Sequence, residues 1–290
     1  MLIPVADLKY IAAPTVFTVM FALGLAVSPG QFAYIWQRPG SVLRGAVSVL
    51  ALVPLLAIAL ITSVELPVSA RIGIMLMAIS PGAPVALRRS LDAGANSTFA
   101  PSLQMFVVAL AVVTVPLSVA LLDRVFEMHA SVAPLAVARQ LFFAQLLPLG
   151  IGVALRRARP ALAQWLEPRL ATLGNVLLVL VVLVAVVDLW RVVLGEGVGP
   201  LLSVVAMTIA ALGVGHVMGT PEPGTRPAIA FGCAMRNPGI ALLVASRNQL
   251  DPGVTSMILA YLLTSATVIV PYLVWSRRRA RVASRQRGGA

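Results

Sequence analysis

Apolar runs of about twenty residues alternate with short polar connectors along the whole chain. A helical run of that length matches the hydrocarbon thickness of a bilayer, so each reads as a membrane-spanning helix. Nine such windows occur, near residues 10–28, 45–64, 71–89, 99–122, 132–155, 170–190, 199–218, 227–246 and 254–275. The connectors carry turn signals: Ser28-Pro29-Gly30, Arg38-Pro39-Gly40, Arg159-Pro160 and Thr220-Pro221-Glu222-Pro223-Gly224. None leaves room for a separate soluble domain. The pattern predicts an all-α polytopic membrane protein of nine transmembrane helices.

Two windows break the pattern at their centres. Ile79-Ser80-Pro81-Gly82-Ala83-Pro84 interrupts the third and Arg236-Asn237-Pro238-Gly239 the eighth. Proline removes a backbone donor and pushes the residue before it away from helical angles, so both helices should be discontinuous. Irregular backbone at that depth is tolerated only where protein or a wet cavity receives it. If the sixth to ninth spans repeat the first to fourth in inverted orientation, the two breaks correspond and the helices cross. Such a pair points to a transporter binding site; the plainer alternative is two ordinary proline kinks.

Arg236 sharpens the choice. A charge at mid-bilayer costs roughly 2.5–3.5 kcal/mol on insertion scales and marks a functional site by default. The residue sits about ten positions, or roughly 15 Å, from either end of its window, too far for snorkelling alone. The acids offer no obvious partner: Asp7, Glu65, Asp123, Glu127, Asp188, Glu196 and Asp251 fall at or beyond the outer ends, and Asp92, Glu167 and Glu222 on the inner side. The guanidinium must find carbonyls freed by a helix break, water, or an anion from outside the chain. Its fork suits a carboxylate, with the half-helix N-termini adding favourable dipoles. A purely structural arginine capping carbonyls of the third span is the competing reading.

Composition narrows the class. The chain of 290 residues is 59% hydrophobic and 11% charged, with mean hydropathy +0.96, against about 25% charged in soluble domains. Its net charge of +12 does not imply nucleic acid, because the basic residues occupy short loops and the tail at 277–290. Starting outside places Arg38, Arg44, Arg88, Arg89, Arg156, Arg157, Arg159, Arg169, Arg226 and the tail arginines in the cytoplasm. Lys9, Arg71, Arg124, Arg139, Arg191 and Arg247 remain outside. The positive-inside rule then gives N-terminus out and C-terminus in, in a bacterial-type inner (plasma) membrane. One cysteine, Cys233, excludes an internal disulfide and paired-cysteine metal motifs. No cleavable signal peptide is evident.

Two motifs resemble a known family. Ser80-Pro81-Gly82 with the run to Gly94-Ala95-Asn96, and Met235-Arg236-Asn237-Pro238-Gly239-Ile240-Ala241, are similar to the two crossover regions of the bile acid:sodium symporter family. Phe21-Ala22-Leu23-Gly24-Leu25, Arg38-Pro39 and Val53-Pro54-Leu55-Leu56 match its early spans in order. The resemblance covers nearly the whole chain, in short motifs. It implies inverted repeats and two crossed discontinuous helices. The core domain would comprise approximately 45–122 and 199–275, and the panel 10–28 and 132–190. It also implies a chain that begins at the second span of ten-span relatives.

Departures from the family pattern bear on the coupling ion. Where the family's first crossover has Pro-Gly-Gly followed by Ser-Asn, this chain reads Pro81-Gly82-Ala83-Pro84-Val85-Ala86-Leu87, with Ala86 and Leu87 in place of serine and asparagine. The family's glutamate four residues before Gln-Asn is Gly232, its glutamine is Arg236, and Asn237 alone is kept. A glutamine before the family's Met-Pro is replaced by Val49. By analogy with other hard cations, sodium needs several oxygen ligands, so Ala86, Leu87 and Gly232 leave no metal site and make sodium doubtful; no other cofactor is expected. The Arg236 guanidinium would take the sodium's place.

The expected function is alternating-access transport of small organic anions: carboxylates, or bile-acid-like and sulfonate solutes. Arg236, Asn237, Pro238, Gly239, Ser80, Pro81, Gly82, Ala83 and Pro84 would form the substrate site. Gln104, Thr264 and Ser265 are candidate cavity-lining residues; Thr114, Ser118, Gln145 and Thr267 read equally as interhelical glue. Asn96, Ser97 and Thr98 should cap the fourth span. His216 reads as interfacial rather than proton-coupling, and Arg88 and Arg89 either mark the inner side or guide an anion to the exit. The expected partners are the anion and the lipid bilayer, and not nucleic acid. The rivals are a sodium-coupled symporter, as in the family, a non-transporting sensor, and a membrane enzyme. The last lacks any His/Asp/Glu cluster or serine–base pair within the spans.

Overall fold

A computed structural model describes residues 8–126 and 134–288; Asp7, Glu127 and the last two residues of the basic tail lie outside them. Regular structure among the described residues is helical throughout. In chain order the helices are α1 (Leu8–Ala26), α2 (Pro29–Gln37), α3 (Pro39–Val47), α4 (Val53–Ser63), α5 (Val68–Ala78), α6 (Pro84–Asp92), α7 (Phe99–Phe126), α8 (Pro134–Leu141), α9 (Leu147–Ala158), α10 (Pro160–Glu196), α11 (Gly199–Val217), α12 (Thr225–Ala234), α13 (Pro238–Arg247), α14 (Pro252–Val268) and α15 (Val270–Gly288). π-Helical turns at Ser48–Leu52 and Phe142–Leu146 join α3 to α4 and α8 to α9.

Seven helical segments among the described residues are long and apolar enough to cross a membrane. An eighth arises if α1 and α2, bent by 85° between them, are taken together. The described residues of the expected windows fall mainly on helix, but the count of nine spans is not reached, because the third window is cut by its prolines into pieces of 11 and 9 residues. Neither piece is long enough to cross alone.

Burial ranks the spans. Along Pro160–Leu183 only 11% of the window is buried, and Val176, Val179 and Leu183 are exposed as lipid-facing positions should be. Along Thr225–Ser246 the figure is 94%. The span carrying the charge is thus walled off by its neighbours. Close helix contacts make that possible: a Cβ on Gly215 of α11 would sit 2.5 Å from Ala230 Cα of α12. On the other flank, a Cβ on Gly152 of α9 would lie 2.5 Å from the Phe21 carbonyl oxygen of α1. Tyr261, Phe99 and Phe231 fill the interior.

The connectors on the arginine-rich side are tied together. Tyr34 Oη donates to Glu222 Oε2 at 2.7 Å and Arg38 Nε lies 3.6 Å from Glu222 Oε1. Asn96 N donates to the Gly224 carbonyl at 3.2 Å, an approach that Gly224 (φ +79°) permits. Asn96 Oδ1 accepts from Thr98 N and Phe99 N, both at 2.9 Å, so Asn96 is the side chain of the expected trio that caps α7. Ser276 Oγ donates to the Ala93 carbonyl, and Arg277 reaches both the carbonyl and the carboxylate of Asp92, fastening α15 to the end of α6.

Candidate functional site

The last carbonyls of a helix have no intrahelical partner and must find one elsewhere. At the C-terminus of α5, Met75 O accepts from Ile79 N and Leu76 O from Ser80 Oγ, while Met77 O accepts from Ser80 N. The Ser80 carbonyl accepts from Asn237 N at 2.8 Å. That bond joins the two breaks directly, so the discontinuous helices meet at their interruptions.

Arg236 completes the set. Its Nε donates to Met77 O at 3.2 Å and its Nη2 to Ala78 O. Nη1 and Nη2 both reach Val49 O at 3.2 Å, and Nη1 reaches Gly232 O of its own helix at 3.5 Å. The Val49 carbonyl is free for a local reason. In the π-turn, Val53 N donates to Ser48 O instead, and the residue five beyond Val49 is Pro54, which has no N–H to give.

The guanidinium, 3% exposed, therefore sits where the C-terminal ends of α5 and α12 converge, at the negative poles of two helix dipoles. Among the described residues its partners are all main-chain carbonyls. The expectation of a fork open to a carboxylate is revised accordingly: the five N–H donors are used within the protein, as the competing capping reading anticipated, and nothing is left for a bidentate grip in this conformation.

The N-terminal poles face elsewhere. Asn237 Oδ1 accepts from Gly239 N at 3.1 Å and caps α13, with Pro238 buried in its first turn. Ser80, Pro81, Gly82 and Ala83 are buried in the crossing. Gly82 takes φ +79°, with no room for a side chain beneath Val108. Pro84 opens α6 and lies at the edge of a cavity.

That cavity has a volume of about 740 Å³ and lies between α1, α6 and α10. The first turn of α6 (Pro84, Val85, Leu87) and the exposed Arg88 and Arg89 line one wall, and Thr172, Asn175 and Glu167 of α10 face them. Thr172 and Asn175 escaped the sequence reading. Their one signal is an i, i+3 polar pair in an otherwise aliphatic helix. A second opening, about 1060 Å³, involves Pro14, Phe17, Arg139, Gln140, Leu243 and Asn248. Along α1, Val16 and Met20 alternate with residues that line the two openings. They form with Val108 and Leu149 a small buried apolar cluster.

A third void of only about 10 Å³ lies inside the crossing, lined by Val49, Ala86, Leu87, Gly232 and Gln104 among others. Ala86, Leu87, Gly232 and Val49, the positions where the resemblance would place sodium ligands, thus surround a space for about one water and offer no carboxylate. Gln104 lines this small void; Thr264 and Ser265 line none of these cavities, and Ser265 Oγ donates to Leu262 O.

Comparison with known proteins agrees with this architecture. Residues 13–196 match the model of the sodium bile acid symporter family, a stretch that covers α6 and the large cavity and stops short of Arg236. No curated protein matches the chain. With more than half its length accounted for in this way, the chain belongs to the sodium bile acid symporter family, a family of membrane transporters.

Proposed function

We propose that this chain is a sodium-independent secondary transporter of small organic anions, working by alternating access around the two broken helices. The observation that carries the reading is the Arg236 guanidinium at the meeting point of two helix C-termini. In transporters with broken helices, such ends coordinate the coupling cation. Here a tethered cation fills that role, so the crossing stays together without sodium. Transport is then facilitated diffusion, exchange, or coupling to another ion.

The anion is taken into the 740 Å³ cavity, a volume in the range of small-molecule sites. The positive pole of α6 and the arginines at 88 and 89 favour an anion there. Asp92 and Glu167 at the rim leave the field mixed, which suits a singly charged solute better than a multiply charged one. The arginine-rich side is cytoplasmic in this reading, and Ser80–Pro84 with Arg236–Gly239 set the walls between which the solute passes.

The test is uptake and counterflow of labelled cholate and benzoate in proteoliposomes, with sodium or choline as the only external cation. Equal rates in the two salts are expected. Sodium-stimulated uptake would overturn the tethered-cation reading in favour of a family-type symporter, and binding without exchange would mark a sensor. Arg88→Gln and Arg89→Gln should each weaken apparent affinity several-fold in low salt and much less in 0.5 M salt. At about 10 Å in 0.1 M salt, the screening length already spans such a cavity.

A further inference from the structure

The turn from α9 to α10 carries Arg156, Arg157 and Arg159 within four consecutive positions. Other arginines at helix junctions on this side have acidic partners: Arg38 has Glu222 and Arg277 has Asp92. Arg156 and Arg157 are treated differently. Among the described residues neither makes a hydrogen bond or an ion pair, and the Arg157 guanidinium lies over the Phe32 ring, 5.2 Å from its centre. Such a contact holds the charge in place without spending its N–H donors.

Both arginines line a cavity of about 340 Å³. Val27 and Ser28 at the elbow between α1 and α2, Phe32 of α2, Val153 of α9 and Pro160 of α10 complete its walls, and no acid is among them. The positive pole of α2 opens at Ser28. The negative pole of α9 meets the N-terminus of α10 at Arg159, so the two largely cancel.

Polarity is graded along one face of the site. Val153 and Arg157 are four positions apart on α9 and therefore stack on one side of that helix. The valine lies a turn nearer the middle of the Pro134–Ala158 span, and the charge lies at its edge. α2 turns 85° away from α1, which packs on α9 and α10. Trp36 of α2 is 85% exposed and Trp165 of α10 54%, and tryptophans so placed belong to the headgroup level of a bilayer.

We propose that this cavity binds the phosphodiester headgroup of an anionic phospholipid, with Arg156 and Arg157 on the phosphate and the acyl chains running past Val153 into the bilayer. A hydrated soluble anion would use the arginines and gain nothing from Val27, Phe32, Val153 and Pro160; a lipid uses both. The site gathers α1, α2, α9 and α10 at one point. Its Val27 directly follows Ala26, which lines the 740 Å³ cavity, so a bound lipid braces α1 at the wall of that cavity.

The test uses purified full-length protein in neutral detergent, with dioleoylphosphatidylglycerol or dioleoylphosphatidylcholine added to the micelles. Retained lipid is read by native mass spectrometry and stability by thermal shift. Phosphatidylglycerol should be retained in preference to phosphatidylcholine and should raise the melting temperature by several degrees. Arg156→Gln with Arg157→Gln should weaken that retention roughly tenfold or more. The lipid-free melting temperature should stay within a degree or two, since neither arginine has a protein hydrogen bond to lose. Val153→Trp, which fills the cavity and keeps both charges, should abolish the preference as well. Arg285→Gln with Arg287→Gln removes the same charge from the tail and should leave the preference intact. Equal retention of the two lipids would overturn the proposal. So would a loss as great in the tail variant as in the cavity variant, which would reduce the effect to the general attraction of a basic protein for an anionic surface. Equal stabilisation by sn-glycerol 3-phosphate at the same concentration would overturn it too, by showing a site for a soluble anion.

Discussion

Arg236→Gln is expected to abolish transport and to lower stability by about 2–5 kcal/mol. The shorter neutral amide cannot span Met77, Ala78 and Val49 at once, and buried carbonyls at the end of α5 and in the π-turn lose their donor. The loss of the charge matters as much as the loss of the bonds. Two helix C-termini would face each other with nothing positive between them. A cation from solution then becomes the natural replacement, which the double variant Gly232→Glu, Arg236→Gln examines. A Cβ at 232 meets only Val49 Cγ2, at 3.3 Å, and the volume vacated by the shortened side chain at 236 is available for the rest of the glutamate. Sodium should raise the melting temperature of the double variant and leave that of the unsubstituted protein untouched. Sodium stabilisation of both, or of neither, would refute the equivalence of guanidinium and ion.

The second large effect is steric. Gly152→Val should prevent α1 from seating on α9, with a cost above the 1–3 kcal/mol of ordinary overpacking and loss of folded protein on extraction. A Cβ at 152 would stand 2.5 Å from the Phe21 carbonyl oxygen, 2.9 Å from Gly24 Cα and 2.9 Å from Leu25 N. All of these are backbone atoms, so no rotamer change relieves the clash. Gly150→Val is the matched control on the same helix, since a Cβ there meets nothing within 4 Å; it should change the melting temperature by no more than a degree or two. Similar melting temperatures for the two variants would show that the α1–α9 crossing is looser than the close approach of its glycines requires.

What could be read from residues alone divides along physical lines. Apolar length locates a membrane helix, so seven of the windows fell on helical segments long enough to cross a membrane. Length also fails where a span is assembled from two half-helices, as at residues 68–92. Proline and glycine announced both breaks because their effect is local. The partners of Arg236 gave no such notice. Val49 lies 187 positions away, and what it offers is a carbonyl, which every residue has; only Pro54, five residues on, hinted that this one would be free. Nor could the sequence say which way Thr172, Asn175 or Gln145 face. A helix apolar on all sides has no amphipathic stripe to orient it, so Gln145 read equally as glue or as lining.

The order of synthesis follows from where the guanidinium finds its acceptors. Val49, Met77 and Ala78 all leave the ribosome well before residue 236, so the docking point for the charge exists when the charge arrives. A segment that would meet lipid at a penalty of roughly 2.5–3.5 kcal/mol on its own instead enters a prepared groove during biogenesis. The same residues rearranged so that this segment came first would have to cross the translocon bare.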